Sequence, residues 1–255
     1  MKAVDLDHVA IATDDIGLAL ASLVGELGGT LFHGGDGYGF RWLQTRLGDA
    51  TAGMTIESLV AWQPDVDDFL ARFLERHGPS AHHITFKVPD IEVMIERCRA
   101  RGLEPVGVRI DDRQWREAFL QPREAHGTVV QLAQTDEPFD LAVVLPAVAH
   151  DGPLGTPRWW PDPPEAADAP ATLRRVVLGS PDRAATTTFF TEVLDGVVEA
   201  TDHDTDNRAG ATDLVWPGGG RIRLEDADRT GVLRLEATGP TPRTVMVGRV
   251  PFVVT

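Results

Sequence analysis

Cysteine and long apolar runs are both scarce in this sequence. The single cysteine, Cys98, excludes an internal disulfide and fits a reducing compartment. No run approaches the roughly 18 apolar residues that a membrane span requires, and no basic segment followed by an apolar core marks a signal peptide. The sequence has 24 basic and 39 acidic residues, which gives a net charge of −15. Because like charges repel, nucleic acid and anionic lipid are unfavourable partners. We therefore expect a cytoplasmic protein that binds a small-molecule substrate.

The sequence contains a pattern of short strands and one helix that occurs twice. Each copy begins with a β-branched strand, continues through a helix that ends at glycine, and closes with three further strands. The predicted strands are 7–13, 30–33, 39–44 and 54–60 in the first copy, and 82–88, 104–110, 118–121 and 128–133 in the second. A helix within 62–77 links the copies. This duplication predicts an α+β fold, in which tandem βαβββ units form a cup-shaped mixed sheet.

Four polar residues occupy equivalent positions in the two copies. Glu57 follows His8 by 49 residues, and Gln131 follows His83 by 48. Two imidazoles, one carboxylate and one amide form a mixed nitrogen and oxygen set, which suits Mn²⁺, Fe²⁺, Co²⁺, Ni²⁺ or Zn²⁺ better than Mg²⁺ or Ca²⁺. The alternative is that duplication preserved polar strand positions around an empty cleft. We predict that the four residues converge on one divalent metal ion, a Lewis acid for an enolising substrate oxygen.

The remaining residues predict a linker and a third, degenerate copy. Eight prolines within 136–170 favour an extended linker. In 171–255 the strand pattern and the spacing recur, but Arg175 and Arg223 stand at the ligand positions. Arginine has no acceptor and stays protonated, so it cannot bind a metal ion. We predict a metal-binding pair of βαβββ units at 1–135, the linker, and a third, non-metallated βαβββ-like domain.

Several segments within residues 5–135 resemble a known family. The segments Gly78–Val88 (GPSAHHITFKV), Ile56–Leu59 (IESL) and Val130–Leu132 (VQL) resemble ligand strands of the vicinal oxygen chelate superfamily, nearest to its methylmalonyl-CoA epimerase-like branch. Glyoxalase I, extradiol dioxygenases and bleomycin-resistance proteins are other members. The resemblance implies the paired βαβββ fold, with each metal ligand at its matching position, His83 among them.

The residues that serve as acid and base in the epimerases have no equivalents at the matching positions of this sequence. The epimerases have a glutamate where this chain has Gln131, and a further strand glutamate as a base, whereas 39–44 contains no carboxylate. Because an amide is no base at neutral pH, two-base epimerisation through these positions is disfavoured. The catalytic candidates are Glu57, which would bind the metal and also transfer a proton, and His126. Glu117 is a third acid–base candidate. The alternatives are that His126 is an ordinary turn residue and that Glu117 is a solvated strand-edge charge.

Three functions stay open at this point. The first is metal-dependent proton transfer next to a carbonyl of a small oxygen-chelating substrate, which is isomerase or lyase chemistry. The second is an Fe²⁺ extradiol-type dioxygenase that uses His8, His83 and Glu57. The third is a non-catalytic binding or resistance protein. The unpaired third copy predicts either packing on the cup or pairing in a homodimer.

Overall fold

The first two βαβββ repeats are present in the computed structural model, which describes residues 3–155, 158–199 and 210–255. The first repeat consists of β1 (Asp5–Ala12), α1 (Ile16–Leu20) with a π-helical continuation (Ala21–Glu26), β2 (Thr30–Asp36), β3 (Phe40–Gly48) and β4 (Gly53–Ala61). The linking helix is α2 (Phe69–His77). The second repeat consists of β5 (Ser80–Lys87), α3 (Ile91–Arg99), β6 (Val106–Arg109), β7 (Arg116–Leu120) and β8 (Val129–Gln134). Every predicted strand of these two repeats thus has a counterpart.

Aspartate side chains cap the helices that follow the first strand of each repeat. Asp15 accepts a hydrogen bond from the Leu18 N–H, and Asp90 accepts from the N–H groups of Glu92 and Val93. A carboxylate at this position satisfies exposed N–H groups and offsets the positive end of the helix. Both helices therefore begin directly after a capping aspartate. In the described part of the chain, no helix has the length and apolar character that a membrane crossing needs.

Strands β1 to β8 form one eight-stranded sheet with the order β2-β3-β4-β1-β5-β8-β7-β6. The two repeats share one internal register. Strand β1 runs parallel to β4 with Ala10 opposite Glu57, and β5 runs parallel to β8 with Thr85 opposite Gln131. In each repeat, the ligand position on the fourth strand therefore lies opposite the residue two places after the histidine. The predicted α+β fold of tandem βαβββ units is confirmed.

The segment 136–170 is not wholly extended, and on this point the linker prediction was wrong. Helix α4 (Leu141–Asp151) contains Pro146, and its N-terminus is capped by Asp140, which accepts from the Ala142 N–H. A proline inside a helix removes one backbone hydrogen bond, but α4 continues past Pro146 as far as Asp151, with Val148 as its buried residue. Further along the segment, Trp160 is buried in a cluster with Leu20, Val24, Leu31 and Leu43. The neighbouring Trp159 is partly buried against the same cluster, so both tryptophans pack on the protein.

A seven-stranded sheet contains the third repeat and three further strands. The third repeat consists of β9 (Thr172–Ser180), α5 (Arg183–Glu192), β10 (Val197–Val198), β11 (Ala211–Val215) and β12 (Arg221–Asp226), and the further strands are β13 (Gly231–Thr238), β14 (Arg243–Val247) and β15 (Val250–Val254). The sheet order is β10-β11-β12-β9-β13-β15-β14. Strand β9 runs parallel to β12 with Val177 opposite Arg223, which is the register of the first two repeats. Strands β13 and β15 also pair in parallel, so β13 to β15 resemble a shortened repeat without its helix.

The described chain divides into two compact units. The His8 unit contains the described residues of 8–82, 139–174 and 234–255, and the His83 unit contains those of 1–7, 83–138 and 175–233. The predicted domain boundaries, with 1–135 and 171–255 as separate domains, stay a prediction.

The lone cysteine lies on α3. Cys98 is fully buried, and this burial raises the pKa of its thiol to about 11. The thiolate is the reactive form of cysteine, so a thiol with so high a pKa is unreactive near neutral pH.

Candidate metal centre

Three of the four predicted ligand residues come together on central strands of the eight-stranded sheet. Glu57 on β4, His8 on β1 and His83 on β5 each offer a ligand atom, and these atoms all lie within 4.8 Å of one another. His8 Nε2 is 3.4 Å from Glu57 Oε2. All three residues are buried. The fold therefore removes two imidazoles and one carboxylate from water at one place.

The chemistry of this donor set fits a divalent cation. Ligands held at about 2.1 Å from one ion stand roughly 3 to 4 Å from each other. The observed spread of up to 4.8 Å lies within reach of small side-chain rotations. Two imidazole nitrogens and one carboxylate oxygen suit first-row transition metals and leave coordination positions for other groups. The residues present thus fit the ion that the sequence predicts.

Gln131, the fourth predicted ligand, is buried on β8 within a hydrogen-bond network. Its Oε1 accepts a hydrogen bond from Thr85 Oγ1 at 2.6 Å, and its Nε2 donates to Glu117 Oε2 at 2.7 Å. A carbonyl oxygen has two acceptor positions, so the bond from Thr85 leaves one for a cation. The assignment of Gln131 as a ligand stays a prediction.

Glu117 is not a solvated strand-edge charge, because it is only 7% exposed. Besides Gln131, its carboxylate accepts from Trp115 Nε1 at 3.0 Å and forms an ion pair with Arg109. The Lys87 ammonium lies 3.6 Å from the ring centroid of Trp115. Glu117 is thus a fixed acceptor in a buried polar network. Sequence reasoning named this residue but missed its link to Gln131.

Two residues that sequence reasoning missed lie beside Glu57. Gln44 is opposite Glu57 on β3 and donates from Nε2 to Glu57 Oε1 at 3.4 Å, and His33 is opposite Gln44 on β2. The three side chains therefore share one face of the sheet. The His33 ring stands edge-on to Trp42 and to Phe139, with ring centroids 4.6 Å apart in both pairs. Burial lowers the pKa of His33, and the charge of Glu57 partly offsets this effect.

His126, the other predicted catalytic residue, is not one of the three grouped residues. It lies in the turn between β7 and β8 with a φ of 54°, a left-handed conformation that is uncommon for residues other than glycine. Its ring packs on Phe189 of α5, with centroids 5.5 Å apart. Burial lowers the pKa of His126, and Asp182 opposes this effect. These contacts are those of a turn residue, and its catalytic role stays a prediction.

The third repeat has an ion pair at the positions that correspond to the ligands. Arg223 donates to Asp213 through Nε at 2.8 Å and through Nη2 at 2.6 Å. Arg175 Nη1 lies 3.8 Å from the same carboxylate. The guanidinium groups are thus engaged by a protein carboxylate, and the absence of a metal from this repeat stays a prediction.

Comparison with protein families agrees with this geometry. The model described as Glyoxalase/Bleomycin resistance protein/Dioxygenase superfamily matches residues 7–119. That segment, which contains His8, Glu57 and His83, matches the model of this superfamily, and the resemblance seen in the sequence is confirmed. No curated protein matches the chain significantly.

Solved structures that are similar to this chain cover nearly all or about half of it. A hypothetical protein from Staphylococcus aureus is 13% identical, covers 99% of this chain and 98% of its own length, and has a TM-score of 0.65. A hypothetical protein from Bacillus halodurans is 27% identical over 54% of this chain and 99% of its own, with a TM-score of 0.48. The methylmalonyl-CoA epimerase from Mycobacterium tuberculosis is 26% identical over 54% of this chain and 92% of its own, with a TM-score of 0.47.

Proposed function

We propose that this chain is a metal-dependent enzyme that moves a proton next to a carbonyl group of a small substrate, in isomerase or lyase chemistry. His8, Glu57, His83 and Gln131 would hold the divalent cation. The observation that carries the proposal is the burial of two imidazoles and one carboxylate within 4.8 Å of one another. A bound divalent ion would polarise a substrate carbonyl and make the adjacent proton easier to remove.

Glu57 is the side chain best placed to accept that proton. Its Oε2 faces His8, and its Oε1 receives the amide of Gln44. Farther along the same face of β1 and β4, Ala12 and Leu59 belong to a buried apolar cluster, which excludes water from one side of the carboxylate. A carboxylate with few water neighbours exchanges its proton with a substrate held beside it rather than with solvent.

A second function is favoured by the identity of the grouped residues. Two histidines and one carboxylate are the ligand set of non-haem Fe²⁺ oxygenases. His8, His83 and Glu57 would supply this set without Gln131. An extradiol-type dioxygenase is therefore the second candidate.

Two assays on the metal-loaded protein separate these candidates. Hydroxyacetone and methylmalonyl-CoA, which both carry an acidic proton next to a carbonyl, are incubated in D₂O, and proton NMR follows the exchange of that proton. Catechol is supplied with Fe²⁺, and an oxygen electrode follows oxygen uptake. Exchange that requires metal supports proton transfer, whereas oxygen uptake with ring cleavage contradicts it and supports the dioxygenase. Stoichiometric ligand binding without turnover contradicts both and indicates a binding or resistance protein.

A further inference from the structure

The ligand position on the fourth strand of each repeat is hydrogen-bonded to a side chain on the third strand, and the two pairs are chemically reversed. In the first repeat, the amide of Gln44 donates to the carboxylate of Glu57. In the second repeat, the amide of Gln131 donates to the carboxylate of Glu117. The strand orders β3-β4-β1 and β7-β8-β5 make the two third strands equivalent. A carboxylate at one ligand position is thus matched with a donor, and an amide at the other with an acceptor.

The direction of the Gln131 amide follows from the strand order. Strand β8 lies between β5 and β7. Gln131 Oε1 accepts from Thr85 on β5, and Nε2 donates to Glu117 on β7. His83 is two residues before Thr85, so both side chains lie on the same face of β5. The amide therefore turns its oxygen toward the strand that carries His83 and its nitrogen away from that strand.

Glu117 decides this direction. The oxygen and nitrogen ends of an amide have nearly the same shape, so its hydrogen-bond partners determine which end faces which strand. The Thr85 hydroxyl can donate or accept, and it is compatible with both directions. Arg109 and Trp115 can only donate, so the Glu117 carboxylate that they share is an acceptor. Gln131 must therefore present Nε2 to Glu117.

We propose that Glu117 is a positioning residue of the metal centre, which holds the Gln131 amide with its oxygen toward the cation. The inference rests on the proposed function, because the amide direction matters only where a cation binds. With the opposite direction, two N–H donors would face the cation and the fourth ligand would be lost. The pairing also accounts for glutamine at position 131, since two carboxylates at this distance would repel each other.

The test measures the affinity of the apoprotein for Co²⁺, used as the metal probe, by competition titration with a chromophoric chelator. Glu117→Gln allows the Gln131 amide to turn, and we expect it to weaken Co²⁺ binding about 10- to 100-fold, as removal of a group that orients a ligand does. The double variant Glu117→Gln/Gln131→Glu exchanges the pair at constant net charge, and we expect affinity equal to or above that of the wild type. Glu137→Gln, an exposed position after β8, removes the same charge and should leave affinity unchanged.

The outcomes separate this inference from the proposed function. A wild-type protein that binds no Co²⁺ overturns the proposed function and this inference with it. Wild-type binding that persists at full affinity in folded Glu117→Gln overturns only the positioning role. If the single variant does not fold, the double variant decides alone: wild-type or tighter affinity supports the proposal, and weaker affinity overturns it.

Discussion

The ion pair of the third repeat leads to a quantitative prediction about stability. Asp213→Ala removes the carboxylate that accepts two hydrogen bonds from Arg223 and lies 3.8 Å from Arg175. The Arg223 side chain is 5% exposed and that of Asp213 is 10% exposed. The substitution therefore takes away the bidentate acceptor of a guanidinium that water scarcely reaches. Removal of one partner from such a pair costs about 3–5 kcal/mol.

We expect the lower end of this range for Asp213→Ala, about 3 kcal/mol in the free energy of unfolding, because Arg175 can take up a new position and water can follow it. For a chain of this size, each kcal/mol lowers the melting temperature by about 2–4 °C, so the expected decrease is about 6–12 °C. The assay is thermal and urea unfolding followed by tryptophan fluorescence.

The control is Glu96→Ala, which breaks an exposed ion pair with Arg99. The side chain of Glu96 is 72% exposed and that of Arg99 is 45% exposed. An exposed pair of this kind contributes little to stability, because water screens both charges. Replacing both buried partners, as in Asp213→Leu/Arg223→Met, should recover most of the loss, because no buried charge is then left behind. If Asp213→Ala is no less stable than Glu96→Ala, the buried-pair reasoning is refuted.

Two further predictions concern titratable groups. Burial raises the pKa of Cys98 to about 11, so a thiol reagent should label the protein near neutral pH only after unfolding, and rapid labelling of the folded protein would contradict the structure. Burial lowers the pKa of His33 below its ordinary value of 6.5, so the unfolded chain binds a proton that the folded protein does not. The stability of the wild type should therefore decrease as the pH falls through that value, and the stability of His33→Phe should decrease less. Equal losses of melting temperature in the two proteins between about pH 7 and pH 5 would contradict this role of His33.

The repeat and its ligand residues could be predicted because local sequence patterns indicate them. Apolar and β-branched runs mark strands, and the strand predicted at 54–60 differs from β4 (Gly53–Ala61) by one residue at each end. The nearly constant spacing between His8 and Glu57 and between His83 and Gln131 follows from a shared parallel register. A duplicated sequence thus reveals which strand positions are equivalent.

The partners of the ligand residues could not be predicted, because they depend on pairing between strands. His33 faces Gln44 only after a register shift between Leu31 and His33, which no local pattern indicates. The link from Glu117 to Gln131 requires the register of the β7–β8 hairpin. Helix α4 was missed for another reason: proline is a strong local signal for a break, but the helix that Asp140 caps continues through Pro146.

The most direct test of the central claim is the metal content of wild-type protein and His83→Ala. Both proteins are stripped with a chelator, reloaded with Co²⁺ and freed of unbound ions, and the metal is then quantified by mass spectrometry. His126→Ala, which replaces a half-exposed turn histidine, serves as the control. We predict one tightly bound ion per chain in the wild type and the control, and none in His83→Ala. A folded His83→Ala protein that retains one ion per chain would contradict the metal centre proposed for this protein.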